Sequence, residues 1–247
     1  MTCEACRTIP PVISEGYIPK GKYEIIGGLN SYITGSEHAK AGVVDIYDIF
    51  GWSNQTLQGA DLLAARLNAV VVVPDFFKGD TLAPEVIPPD TEEKKKSMSD
   101  FFANQANVPR NIGVLLETVQ HLKTRFPSVA KWGGVGLCWG GKVLILASGA
   151  NTPFVATGQV HPGAMDATDA EKLAVPHIVL ASKDEPADAV AAYADIIAKG
   201  KGGIVETYPD MWHGWMGARS NLEQESSRVE YTRGYEQLGN FFEKYLS

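Results

Sequence analysis

Basic charge is in short supply in this sequence: 22 lysines and arginines stand against 29 aspartates and glutamates, a formal net charge of −7. Nucleic acid and anionic lipid both select basic patches, so the balance argues against those partners and leaves small molecules as the expected ones. Long apolar runs are missing too, since none approaches the about 18 residues that a membrane helix needs. The opening MTCEACRTIPP has no basic stretch followed by an apolar one, so the expected location is cytoplasmic, without membrane attachment. Cysteine is scarce, with Cys3, Cys6 and Cys138 as the whole supply. An odd count cannot form a complete disulfide framework and suits a reducing compartment. Cys3-x-x-Cys6 supplies half of a four-ligand zinc site, and a loosely packed terminus stands against that reading. Nor does the pair follow a strand and open a helix as a thioredoxin-like motif would. No metal and no cofactor is expected.

What remains is ordinary globular material, 45% hydrophobic and 21% charged, in a length that one α/β domain can fill. Behind a Gly- and Pro-punctuated N-terminal extension reaching to about residue 40, residues 43–47 read as a buried strand. Residues 57–67 then read as an amphipathic helix and 69–74 as a second buried strand. The pattern continues with a helix over 107–125, a strand over 133–137, an apolar helix over 141–149 and a strand near 154–160. A strand at 176–181, a helix at 187–199, a strand at 203–208 and a last helix over about 223–245 follow. Strands alternating with helices imply a mostly parallel twisted sheet with helices on both faces. No repeat or linker divides the chain. Residues 78–106, rich in proline and mixed charge, read either as a solvated excursion or as a cap over the strand ends, where open α/β sheets place ligands.

The stretch GVGLCWGGKV, residues 134–143, admits two readings. As a phosphate loop, Gly136-x-x-x-x-Gly141-Lys142 fits until Val143 stands where Ser or Thr should hold magnesium, and bulky Trp139 sits where small residues are wanted. As a nucleophile elbow, Gly136-Leu137-Cys138-Trp139-Gly140 puts a thiol on a tight turn between strand and helix. There the residues two before and two after must be small. An inert buried cysteine is the bland alternative. An elbow requires a carboxylate and then a histidine further along the chain. Strand 176–181 runs into SKDEPAD, which offers Asp184, and strand 203–208 runs into PDMWHGW, which offers His213. Asp188 and Asp210 compete, the first as a charge in the next helix's opening turn, the second as a turn residue. His161 also follows a strand and reads as a satisfied loop histidine or a pocket wall, while Trp212 and Trp215 flank His213 and offer apolar walls.

These residues resemble the dienelactone hydrolase family, the cysteine branch of the α/β-hydrolase fold, over the chain from about residue 40 onward. The family's G-x-C-x-G-G elbow is matched by Gly136 to Gly141, its acid by Asp184 and its histidine by His213. Its Glu-Ile-Phe-Gly is matched by Asp48-Ile49-Phe50-Gly51, and its Pro-Asp-Leu-Tyr by Pro74-Asp75-Phe76-Phe77. The resemblance implies an oxyanion hole made of the Ile49 and Trp139 N–H groups and a carboxylate, Asp48, that controls the ionisation of the thiol. It also implies cationic grips on a substrate carboxylate, with Lys78 in place of one arginine and Arg219 two positions beyond the place of the other. Phe50, Trp52, Trp139, Trp212 and Trp215 suggest a more aromatic, less charged site than the family's. The implied reaction is the opening of a small lactone or ester through a thioester on Cys138, without a cofactor. Alternatives are an esterase or thioesterase for acyclic substrates, an isomerase or cyclase, and a non-catalytic binder or thiol sensor.

Overall fold

The structure is a computed structural model and describes residues 4–247, apart from the side chain of Cys6. The expectation for Cys3 and Cys6 therefore lies outside the described residues. After a short helix α1 (Glu4–Thr8) come strands β1 (Lys22–Ile26), β2 (Leu29–Gly35) and β3 (Ala41–Ile46), then helix α2 (Asn54–Leu67) and strand β4 (Val70–Pro74). A 3-10 turn at Pro84–Val86 leads to α3 (Glu92–Ala103) and α4 (Val108–Arg125). The remainder alternates β5 (Lys131–Leu137), α5 (Trp139–Leu146), β6 (Ala156–Val160), α6 (Ala167–Ala170), β7 (His177–Ser182), α7 (Ala187–Lys199), β8 (Gly203–Tyr208) and α8 (Glu225–Leu246).

All eight strands form one sheet in the order β1-β2-β4-β3-β5-β6-β7-β8, antiparallel from β1 to β4 and parallel from β4 to β8. Helices α2 and α8 cover one face, and α4, α5 and α7 the other. The central strands explain their own burial. In β3 and β4 every residue is buried, so runs such as VVVVP need no polar side, as expected of strands covered on both faces. Helix α2 begins at Asn54 because the Ser53 side chain accepts from the Thr56 N–H, and it ends where Asn68 turns left-handed, with φ 48°. Helix α4 starts on the Asn107 cap, which accepts from the Arg110 N–H, with Pro109 in its first turn.

One element departs from the sequence reading, and another takes on detail. The supposed N-terminal extension contains the β1–β2 hairpin, a working edge of the sheet closed by the positive-φ pair Gly27 and Gly28. Residues 78–106 carry α3, capped by Thr91, whose EEKKK run lies in its first two turns with Lys95 paired to Glu92 and Lys96 to Asp100. Between α1 and β1 the chain is strapped down along its length. The Val12 N–H donates to Ala218 O at 2.8 Å, and Gln55 donates to Val12 O at 2.9 Å. Asp61, nearly fully buried, accepts from Tyr17, Tyr32 and the Lys20 N–H. Among the described residues no helix is long and apolar enough to cross a membrane.

Candidate active site

Strand β5 is the middle of the parallel sheet, and its register sets Gly136 beside Ile46 of β3 and Leu137 beside Val160 of β6. The chain then turns abruptly into α5 through Cys138, whose φ of 51° and ψ of −109° fall where non-glycine residues are strained. The glycines around it have a steric reason. A Cβ on Gly136 would lie 2.4 Å from the Gly140 carbonyl, and one on Gly140 would lie 2.1 Å from Ile46 O. The strained turn is held from beyond: the Cys138 N–H donates to Val160 O, and Cys138 O accepts from the Lys142 and Gly163 N–H groups.

The thiol sulfur lies 3.0 Å from His213 Nε2, and His213 Nδ1 lies 2.7 Å from Glu185 Oε1. Sulfur, imidazole and carboxylate thus form one hydrogen-bonded line, with the Cys138 residue 2% exposed and the His213 and Glu185 side chains fully buried. This corrects the expected role of Asp184. Its carboxylate accepts the backbone N–H of His213 at 2.8 Å, so it holds the histidine loop in place while its neighbour meets the ring. The turn after β7 decides between them. The Ser182 side chain caps the Asp184 N–H, and Glu185 folds back so that one oxygen takes the Ser182 N–H and the other reaches His213. The sequence signal was present in SKDEPAD, where two adjacent carboxylates occupy the acid position.

Ile49 and Trp139 both border a cavity of about 560 Å³ that opens onto Cys138. The Trp139 N–H is the first of α5 and has no acceptor within the helix. In the turn at 48–51, the Phe50 and Gly51 N–H groups bind Asp48, and the Ile49 N–H has no acceptor among the described residues. Two residues from two elements thus border the cavity together with Cys138, each with a backbone N–H not used, among the described residues, by the surrounding fold.

Asp48 differs from its expected role as a gate on the thiol. Its oxygens accept from the Phe50 N–H at 2.9 Å and the Ala218 N–H at 3.0 Å, and neither is hydrogen-bonded to Cys138. Its short side chain ties the turn at 48–51 to the loop after His213. Burial raises its pKa, while the Arg219 charge and the two N–H groups pull the other way.

The expected substrate contacts lie elsewhere. None of Lys78, Trp52, His161, Trp212, Trp215 and Arg219 borders the cavity. Lys78, left-handed with φ 54°, lies in a separate groove with Phe77, Asp80 and Arg110. Trp52 donates to Val73 O and packs on Tyr23, while Trp212 donates to Arg219 O. Trp215 is buried against Tyr208, with ring centroids 4.3 Å apart. Arg219 is fully buried, donates to Ile9 O, and sits over the Phe50 ring at 4.9 Å, so its cation serves the interior. His161 is neither a satisfied loop residue nor a wall. It is fully buried, its ring nitrogens have no hydrogen-bond partner among the described residues, and its ring meets that of His213 edge to face at 5.1 Å. Burial, then the His213 and Arg219 charges, hold its pKa well below the ordinary value, so it stays neutral.

The walls come largely from the 78–106 segment, in keeping with its reading as a cap over the strand ends rather than as a solvated excursion. Pro89, Lys95, Met98 and Phe102 descend from the 78–106 segment, and Asn107 and Val108 from the start of α4. Arg7 comes from α1, and Lys142 from the first turn of α5. The Trp139 ring couples these walls to the elbow: its Nε1–H donates to Ala106 O at 2.9 Å and its ring packs on Phe77 at 4.6 Å. Met98 and Phe102, four apart on α3, were the available signal for a helix with an inward face.

A family model described as the dienelactone hydrolase family matches residues 29–246. An AIM2 family protein of Schizosaccharomyces pombe is 33% identical over 238 residues, covering 94% of each chain. Among solved structures, a dienelactone hydrolase-like promiscuous phosphotriesterase from metagenomic libraries superposes with a TM-score of 0.61 at 17% identity, covering 89% of this chain and 93% of that one. An esterase of Pyrococcus furiosus does so with a TM-score of 0.65 at 12% identity, covering 97% and 100%. The chain belongs to the dienelactone hydrolase family and is a hydrolase of the α/β-hydrolase fold.

Proposed function

We propose that the protein cleaves carboxylic esters, lactones among them, with Cys138 as nucleophile, His213 as base and acid, and Glu185 as the carboxylate that orients His213. The observation that carries this is the unbroken line from Glu185 Oε1 through His213 to Cys138 Sγ, with steps of 2.7 and 3.0 Å. Glu185 accepts a hydrogen bond from the Nδ1–H, which leaves the Nε2 lone pair to take the thiol proton. The thiolate adds to the ester carbonyl, a C–S bond forms, and the Ile49 and Trp139 N–H groups receive the negative oxygen. As the intermediate collapses, the C–O bond breaks and the His213 imidazolium protonates the leaving alkoxide. Water, deprotonated by His213, then attacks the thioester and releases the acid, with the proton returning to the thiolate. In a lactone the alkoxide stays attached to the acyl group, so one product leaves instead of two. No cofactor enters any step.

The cavity is of a size that encloses drug-sized molecules, which favours esters bearing a sizeable apolar group over the smallest lactones. The test is a panel of aryl esters and lactones with mass spectrometry of the intact protein. An acyl adduct on Cys138 is expected during turnover, and Cys138→Ala should abolish both adduct and product. Undiminished turnover by that variant would overturn the reading.

A further inference from the structure

The chain as a whole is acidic, yet among the described residues the cavity at Cys138 is bordered by three cations and by no carboxylate. Arg7 comes from α1, Lys95 from α3 and Lys142 from α5, so the clustering is made by the fold and not by a local run of sequence. Two of the three have partners: Lys142 is paired with Asp169 and donates to Ala164 O, and Lys95 pairs with Glu92 at the surface. Arg7 has no carboxylate within ion-pairing distance among the described residues. Most of the rest of the wall is apolar, Met98, Phe102 and Val108 among it, with Ser99 and Asn107 as polar exceptions.

We infer that the substrate of the site is amphiphilic, an ester whose apolar chain lies along Met98, Phe102 and Val108 and ends in an anion, carboxylate or phosphate, gripped by Arg7 and Lys95. This rests on the ester-cleaving reading above and adds the recognition of the far end. Arginine suits the task, since its planar fork binds either anion with two parallel bonds. The residues that the family resemblance offered for an anion, Lys78 and Arg219, are away from this cavity, so the grip is a different one.

Binding and turnover test it separately. In Cys138→Ala, calorimetry with octanoate, octyl phosphate and octanol reads binding without chemistry. Both anions, or the one that matches the natural headgroup, should bind about tenfold or more tighter than octanol at low salt, with the preference shrinking as salt rises. The stronger of the two identifies the headgroup. Arg7→Gln with Lys95→Gln should remove most of that preference, while Lys199→Gln on exposed α7 should retain it as the control for net charge. Octanol binding as tightly as both anions, or an anion preference untouched by the double substitution, overturns the inference. In the intact enzyme, nitrophenyl hemiesters of dicarboxylic acids should exceed neutral nitrophenyl esters of equal length in kcat/KM. Neutral esters cleaved as well as the hemiesters would overturn the inference and leave the ester-cleaving reading standing. Anion binding with no ester cleaved would overturn the ester-cleaving reading and leave the anion grip standing.

Discussion

Cys138 owes its strained backbone to glycines on either side, and because that constraint is local the elbow can be read directly from five residues of sequence. The acid cannot be read so directly. Asp184 and Glu185 are adjacent and differ by one methylene, and only the fold of the turn after β7 assigns the His213 ring to one and its backbone N–H to the other. The two substitutions should therefore separate. Glu185→Gln keeps the shape but loses the acceptor that fixes the tautomer, and kcat should fall about a thousandfold or more. Asp184→Asn weakens a loop anchor one step removed from the chemistry, and should cost about tenfold. Steady-state kinetics on one aryl ester checks both, and equal losses would return the ring to a shared acid. Arg219 and the flanking tryptophans illustrate the opposite limit. Their types suggested a binding wall, but a side chain's destination depends on what packs over it, here Ile9, Phe50 and Tyr208 from distant parts of the chain.

At the scale of the elements, the parallel half of the sheet was legible because strands buried on both faces read as continuous apolar runs. The β1–β2 hairpin was not, although Gly27-Gly28 between KYEII and LNSYITG is a hairpin signal. Its strands sit at the sheet edge with mixed burial, so their period is blurred. In helix α3 the charged run EEKKK reads as a wet helical face, and it masked the inward pair Met98 and Phe102 further along. The close approach of α5 to β3 makes a sharp contrast between two glycines. Gly140→Ala would drive a methyl group onto Ile46 O and should destabilise the protein by about 3 kcal/mol. Gly113→Ala, inside α4 with open space around it, should stabilise by up to about 1 kcal/mol. Thermal or denaturant melts of the pair check both, and a loss of stability in Gly113→Ala would show that the α4 surface is not free.

For the molecule as a whole, two buried groups pull stability in opposite directions as pH changes. Asp45 on β3 has both oxygens without a hydrogen-bond partner among the described residues, and burial, helped by the Asp48 charge, pushes its pKa from 3.8 to about 8. It is therefore protonated in the fold at neutral pH. Its contribution is complete below pH 3.8 and is lost as pH rises through about 8, at up to ~1.4 kcal/mol per pH unit. His177, held neutral between Thr157 and Gln159, has its pKa lowered by burial from 6.5 to about 3. Its contribution is complete above 6.5 and is lost as pH falls toward 3, so the two offset each other across mildly acidic pH. Asp45→Asn removes one side of the balance, and its melting temperature relative to the parent should climb steadily from pH 5 to pH 8. Parallel curves would mean that Asp45 is ionised in the fold. The position of His213, 75 residues beyond Cys138, carries a consequence for synthesis on the ribosome. The thiol emerges long before the imidazole it meets in the fold, and the strained turn between β5 and α5 has β3 and β6 on either side to hold it. A growing chain therefore carries the cysteine without its imidazole partner, and the pair comes into being only as the last part of the protein folds against it.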